Sequence, residues 1–115
     1  MGDLLKLTSH SSFHIRRLCI EGIRPRLPWA SKLNKFIENP SPILPILEAL
    51  KDDSSRYVQK SVANTINDIL KDNPEIAKGI LKKWSIQPTK EREWIVKHAM
   101  RNALKNKEQW AVDLL

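Results

Sequence analysis

Apolar residues recur every three or four positions along most of the chain, which is the spacing of a helix with one buried face. The clearest such stripe consists of Val58, Val62, Ile66, Ile69 and Leu70. Asp53 and Ser54 precede it as candidate capping residues, so the pattern predicts a helix that runs to about Lys71. No alternating run bounded by hairpin turns occurs, and strands are not expected. The predicted fold class is all-α.

Prolines mark the starts of two further predicted helices. Ser41-Pro42 precedes one short apolar stretch, and Asn73-Pro74 precedes a helix with Ile76, Ile80, Leu81 and Trp84 on one face. A last helix is expected over residues 89–105, and Leu4, Leu5 and Leu7 resemble the remnant of a first. The helices therefore come in pairs.

The second helices of these pairs can be superposed. Ile15, Val58 and Val96 are separated by 43 and 38 residues, close to the period of about 40 in HEAT and armadillo repeats. In this register two rows of polar residues lie opposite the apolar stripes: Arg17, Lys60 and His98, and Glu21, Asn64 and Asn102. The chain is predicted to be an α-solenoid with a polar, mostly basic concave face.

The predicted domain is a single HEAT-like repeat unit over residues 1–115, with about two and a half repeats. Because solenoids usually need about three repeats, we expect it to be truncated on its N-terminal side. An apolar repeat face would then be exposed around Leu4, Leu5 and Leu7, and copies of the chain could self-associate through it.

Charge indicates the class of partner. The chain has 20 Lys and Arg against 13 Asp and Glu, a formal charge of +7, which is typical of proteins that bind a polyanion. Basic blocks in residues 1–35 and 78–115 flank an acidic block in 36–77. No apolar run reaches about 18 residues and no secretory signal is evident, so a cytoplasmic protein without a membrane partner is expected.

The segment RPRLPW at residues 24–29 is the least ordinary part of the sequence. Pro25 and Pro28 exclude a regular helix and would hold Arg24, Arg26 and Trp29 on an extended course. Arginine binds phosphate bidentately, and tryptophan can stack on a base or on a cation. The alternative is a stiff loop between repeats with Trp29 in the core.

Two acids, Glu21 and Asp68, are predicted on or beside the basic face. A carboxylate there lowers affinity for phosphate unless it has another task. It could balance a cationic substrate or stabilise an oxocarbenium-like transition state. The alternative is a structural ion pair, which residue types alone favour.

Other candidate chemistry is weak. His10 and His14 are four residues apart but have no evident third metal ligand, and Ser11-Ser12 interrupts the turn between them, so no metal site is expected there. The single cysteine, Cys19, is predicted to lie on the apolar stripe with Ile15 and Leu18 as a core residue. Packing roles are predicted for three tryptophans: Trp84, Trp94 and Trp110.

Three stretches together resemble one family. They read HIRRLCIEGIRPRLPW at residues 14–29, YVQKSVANTINDI at 57–69 and WIVKHAMR at 94–101. This pattern is similar to that of the bacterial AlkC-type DNA alkylation repair proteins, relatives of AlkD among the HEAT-like alkylpurine DNA glycosylases. The resemblance covers about residues 10–112.

The resemblance implies an all-α stack of HEAT-like repeats that holds duplex DNA, preferentially alkylated, and excises cationic N3-alkylated purines by hydrolysing the N-glycosidic bond. It implies catalytic roles for Glu21 and Asp68 and a substrate contact for Trp29. The DNA-binding residues expected with it are Arg16, Arg17, Arg24, Arg26, Lys60 and Arg101. No metal or organic cofactor is implied.

Whether this chain is itself an enzyme stays open. Family members are considerably longer, and upstream repeats with a further acid of the lesion pocket have no counterpart here, so excision is expected to be very weak or absent. The alternatives are a non-catalytic HEAT-like module that binds nucleic acid, a scaffold for an acidic protein, and an RNA-binding module.

Overall fold

The computed structural model describes residues 2–21 and 41–114, and these ranges contain helices and turns but no strand. The helices are α1 Gly2–Leu7 and α2 Phe13–Glu21, then, after a 3₁₀ turn over Ser41–Ile43, α3 Leu44–Leu50, α4 Arg56–Asp72, α5 Pro74–Trp84, α6 Lys90–Ala99, α7 Arg101–Lys105 and α8 Gln109–Asp113. The all-α prediction is confirmed.

Helix α4 is the centre of the packing. It contacts α2 on one side and α6 on the other, while α5 packs against its apolar stripe. The buried stripe includes Val58, Val62 and Ile66, as the periodicity predicted. Because α2, α4 and α6 lie side by side as the second helices of successive pairs, the predicted α-solenoid is confirmed.

The predicted helix starts are confirmed only in part. The N-cap of α4 is Ser55, not Asp53 or Ser54, and Ser41-Pro42 begins a 3₁₀ turn ahead of α3. Thr89 precedes α6, and its hydroxyl accepts a hydrogen bond from the backbone N–H of Arg92 at 3.1 Å. Pro74 occupies the first turn of α5, where its missing N–H is of no consequence. Helix α4 ends at Asp72, one residue beyond the prediction.

The single helix predicted over residues 89–105 is wrong. Helix α6 ends at Ala99, and Met100 has φ −90° and ψ 2° before α7 begins at Arg101. The N–H of Met100 still donates to the carbonyl of Val96, and its own carbonyl accepts from Leu104. The interruption is therefore a kink, across which the apolar spacing that suggested one helix continues unchanged.

The prediction that Leu18 belongs to the buried stripe of α2 is also wrong. Cys19 and Ile20 are buried in the core, which confirms the packing role of Cys19, and burial raises the pKa of its thiol. Leu18 is 63% exposed. Because successive helical residues differ by about 100° in direction, a helix that buries both Cys19 and Ile20 turns Leu18 towards solvent.

The turn between α3 and α4 ties neighbouring repeats together. Asp53 accepts two hydrogen bonds from Arg16 of α2, at 2.6 and 3.1 Å. Asp52, the residue before it, accepts two from Arg92 of α6, both at 2.9 Å. Adjacent carboxylates therefore connect the middle repeat to the one before it and to the one after it.

Trp84 has the packing role that was predicted for it. Trp84 is buried, and its indole N–H donates to Glu48 at 2.9 Å. Glu48 also accepts from Lys51 and Lys83. Burial raises the pKa of Glu48, but these three hydrogen bonds outweigh it and lower the pKa overall.

Helix α1 packs against α2 and α3, while Leu5 and Leu7 remain partly exposed. Self-association through this region stays a prediction. None of the helices in residues 2–21 and 41–114 is both long and apolar enough to cross a bilayer.

Candidate nucleic-acid interface

A cleft of about 320 Å³ opens between α2 and α4. Among the described residues, those that line it are Arg17, Glu21, Tyr57, Lys60, Ser61 and Asn64. The two α2 residues are four apart, and the α4 residues follow at spacings of three and four, so each helix presents one polar stripe. The predicted alignment of Arg17 with Lys60 and of Glu21 with Asn64 is present in this cleft.

Glu21 is held at the cleft by a neighbouring helix. Its Oε1 accepts a hydrogen bond from the hydroxyl of Ser61 at 2.7 Å. Ser61 is buried, so its hydroxyl is a fixed donor rather than a solvated one. The bond fixes one carboxylate oxygen of Glu21 in the cleft that Arg17 and Lys60 also line.

Asp68 lies one turn beyond Asn64 on α4, as predicted, but it is only 4% exposed and does not line this cleft. It is four residues from Asn64, which lines the cleft, a distance of about 6 Å along the helix axis. The described structure therefore brings Glu21 into the cleft and leaves Asp68 buried one turn beyond its lining residues.

Arg101 extends the basic surface to the next repeat. Its Nη1 donates to the carbonyl of His98 at 2.7 Å, and its Nη2 donates to Oδ1 of Asn64 at 3.3 Å. Arg101 remains exposed. Since Asn64 also lines the cleft, the predicted residues Arg17, Lys60 and Arg101 lie along one face of α2, α4 and α7.

Arg16 lies apart from the cleft. Besides the two bonds to Asp53, its Nη1 donates to the backbone carbonyls of His10 and Ser11 at 2.8 and 3.1 Å. The side chains of Arg16 and Asp53 are only 15% and 6% exposed. The contacts of Arg16 are therefore those of a residue that fixes the start of α2. Three other predicted contacts, Arg24, Arg26 and Trp29, fall outside the described residues.

Aromatic residues at this face were not predicted as site residues. Tyr57 is 62% exposed beside the cleft and stacks on Phe13 at 5.5 Å between ring centroids. Trp94 packs only partly against the core; its ring stacks on His98 at 4.7 Å and lies 4.1 Å from the guanidinium carbon of Arg56. The packing role predicted for Trp94 is thus incomplete, and the spacing of four between Trp94 and His98 was the available signal.

The two histidines of the N-terminal region are not arranged around a common point on one helix. His10 precedes α2, and its Nδ1 accepts from the backbone N–H of Ser12 at 3.0 Å. His14 is in α2, and its ring is tilted by 34° against that of Phe13, with the centroids 4.0 Å apart. In the parts of the chain that the structure describes, no group of three or more His, Cys, Asp or Glu could hold a metal ion.

Comparison with solved structures finds a protein of similar fold. The chain is similar to the Pseudomonas fluorescens alkylpurine DNA glycosylase AlkC, solved bound to DNA containing an abasic site analog. The TM-score is 0.89 and the identity 39%, over 98% of this chain and 31% of that one. The resemblance to the AlkC-type proteins is confirmed. The HEAT-like repeat fold that it implied is confirmed with it.

Sequence comparison gives a second relative of similar extent. The chain is 44% identical over 115 residues to the uncharacterized protein YhaZ of Bacillus subtilis strain 168. This alignment covers 99% of the chain and 32% of YhaZ, so the chain spans about a third of the length of both AlkC and YhaZ. No family model matches the chain.

Proposed function

We propose that this chain acts in DNA alkylation repair and binds duplex DNA along the face of α2, α4 and α7. One observation carries the proposal. A cleft that combines Arg17 and Lys60 with the carboxylate of Glu21 lies on a fold that matches AlkC, a protein solved on DNA. Nucleic acid is the polyanion that this face suits best.

The cations of this face are exposed and form no ion pair with a described carboxylate, as phosphate binding requires. Among the described residues, no carboxylate forms an ion pair with Arg17, Lys60 or Arg101. All three side chains are exposed. A backbone phosphate would therefore meet donors that are not already neutralised, and its binding would release condensed counterions.

Glu21 supports a preference for cationic N3-alkylated purines. A carboxylate beside phosphate-binding cations weakens binding to ordinary DNA but stabilises a positively charged base and the sugar cation that develops as the base leaves. In the reaction, the bond between C1′ and N9 breaks and its electron pair stays with the base, which becomes neutral. Water then supplies the oxygen at C1′ and releases one proton. Trp29, Arg24 and Arg26 are proposed as further contacts on DNA.

A second candidate function is binding without excision. The burial of Asp68 favours it, because the described part of the cleft then holds one carboxylate where the resemblance implies two. In this case Asp68 stabilises α4 and its neighbours. The chain would recognise DNA and leave the glycosidic bond intact.

A salt titration tests the proposal. A fluorescently labelled duplex of about 20 base pairs is titrated with the chain at several salt concentrations and anisotropy is read. We expect affinity to fall by about 0.9 log units per log unit of salt for each phosphate contacted. Absence of binding at low salt, or a flat salt dependence, would overturn the proposal.

Two further measurements distinguish excision from binding alone and DNA from RNA as the partner. Tighter binding to a methylated duplex than to the untreated one, with release of N3-methyladenine, supports repair by excision. Tighter binding without release supports the binding module. Stronger competition by an A-form RNA duplex than by DNA would favour RNA as the partner.

A further inference from the structure

The indole of Trp94 contacts one guanidinium and one imidazole where α4 meets α6. The guanidinium of Arg56 lies over the ring of Trp94 at 4.1 Å, and the imidazole of His98 stacks on the same indole, 4.7 Å away and within 10° of parallel. Arg101 donates to the carbonyl of His98, and Lys60 is close enough to affect its titration. We call Arg56, Lys60, His98 and Arg101 the α4–α6 cluster.

The cluster lacks the partner that would explain it as a structural ion pair. Within residues 2–21 and 41–114, no carboxylate pairs with Arg56, Lys60 or Arg101. Like charges held together destabilise a fold unless an anion joins them. The contacts with Trp94 hold Arg56 and His98 in place, so the cluster is preorganised for that anion.

We propose that the α4–α6 cluster is a second phosphate-binding site on duplex DNA, and that His98 takes up a proton when a backbone phosphate occupies it. The inference rests on the proposed function and adds Arg56, Trp94 and His98 to the interface. Arg56 and Lys60 supply permanent charge, Trp94 positions Arg56 and His98, and His98 supplies a charge that depends on pH.

The electrostatic surroundings of His98 give the sign of this effect. Burial lowers the pKa of His98, and Arg101, Lys60 and Arg56 lower it further. Arg56 and Lys60 face it from α4 and Arg101 from α7. On its own helix, Glu93 and Lys97 line a different cleft, with Ser85. Among the described residues, none of these three cations forms an ion pair with a carboxylate, and the carboxylate of Glu21 lines the cleft between α2 and α4 together with Lys60.

A bound phosphate brings negative charge to these cations and raises the pKa of His98. Between the pKa of the free protein and the higher pKa of the complex, binding takes up as much as one proton. Affinity therefore rises as pH falls through that window, by at most about tenfold per pH unit. Below the free pKa the imidazole is already charged, and the dependence ends.

The test compares binding of an unmodified duplex at fixed salt from about pH 8 to about pH 5.5, a range that spans the usual pKa of histidine. The proteins are the parent chain, His98→Gln and two histidine controls, His14→Gln and His10→Gln. We expect the parent to bind about three- to tenfold more tightly at the acid end and His98→Gln to lose most of this gain. If His98→Gln keeps the full gain, or His14→Gln removes it, the inference is wrong.

A titration of the parent chain keeps the test independent of whether the variant folds. The imidazole proton resonance of His98 is followed by NMR against pH, with and without the duplex. A pKa that rises on adding DNA supports the inference, and an unchanged pKa overturns it. Failure of the chain to bind DNA at any pH would instead overturn the proposed function, so the two failures are distinguishable.

Discussion

Two neighbouring arginines have opposite surroundings. Arg16 makes four hydrogen bonds, two of them to Asp53, and its side chain is largely buried. Arg17 lines the cleft beside Glu21 and is exposed. Both are cations next to each other in a basic segment, yet one joins repeats and the other faces the space where a ligand would lie.

Other cations of the described residues also fall into these two groups, those in ion pairs and those without one. Carboxylates of the α3–α4 turn neutralise Arg16 and Arg92, whereas Arg17, Lys60 and Arg101 have no such partner among the described residues. These two ion pairs connect repeats, whereas Arg17, Lys60 and Arg101 lie along one face. Net charge indicates a polyanionic partner, and the positions of the ion pairs indicate which of these cations are available to bind it.

The largest expected effect is on stability and comes from breaking the Arg16–Asp53 pair. Arg16→Ala leaves a largely buried carboxylate without its cation, and we expect a loss of about 2–4 kcal/mol in the free energy of unfolding. Urea denaturation measures it, with Arg17→Ala as the matched control, expected within about 0.5 kcal/mol of the parent. Unchanged stability of Arg16→Ala with weaker DNA binding would place Arg16 on the interface instead.

The next effect concerns DNA affinity. Removing both cleft cations in Arg17→Ala/Lys60→Ala should weaken duplex binding about tenfold or more, and the salt slope should fall by about 0.9 for each phosphate that is no longer neutralised. The control, Lys82→Ala/Lys97→Ala, removes the same charge from exposed positions outside the cleft. An equal weakening in both double variants would show that net charge alone governs binding.

Glu21→Gln tests whether the carboxylate in the cleft acts differently on undamaged and on methylated duplex. Loss of the negative charge should tighten binding to undamaged duplex a few-fold, about 0.5–1 kcal/mol, and reduce the preference for methylated duplex. Competition between labelled methylated and untreated duplexes measures the ratio. If stability falls and the ratio equals that of the parent, Glu21 is a structural residue.

The smallest effect is on the Asp52–Arg92 pair. The hydrogen bond from Arg92 is the largest cause that lowers the pKa of Asp52, so the pair stabilises the fold fully above the unfolded pKa of about 4 and loses this contribution as pH falls through the folded pKa. Because Asp52 is 42% exposed, we expect less than about 1 kcal/mol. The stability gap between the parent and Asp52→Asn should be constant from about pH 5 to about pH 8 and shrink in stronger acid. A gap that widens in acid would contradict this.

Periodicity predicted most of the fold because burial follows directly from helical spacing. The α4 stripe, the start of α5 at Pro74 and the alignment of Arg17 with Lys60 were predicted from the sequence. The kink at Met100 was not, since the apolar spacing continues across it.

The sequence did not predict which charged residues form ion pairs with each other. Both Arg16 and Arg17 were predicted to bind DNA, and their roles separate only when Asp53, 37 residues later, is placed beside Arg16. The burial of Asp68 is likewise a property of the packed repeats, although its position one turn beyond Asn64 was predicted. Local spacing fixes which face a residue is on, and tertiary contacts decide whether its charge is available.

The central claim, that duplex DNA lies on the face of α2, α4 and α7, is tested most directly by mapping the interface residue by residue. Amide chemical shifts of the ¹⁵N-labelled chain are recorded as an unlabelled duplex is added at low salt. The account predicts that the perturbations concentrate at Arg17, Lys60, Asn64 and Arg101 and leave the exposed lysines of α5, Lys82 and Lys83, unchanged. Perturbations centred on Lys82 and Lys83, with the cleft residues unaffected, would contradict it.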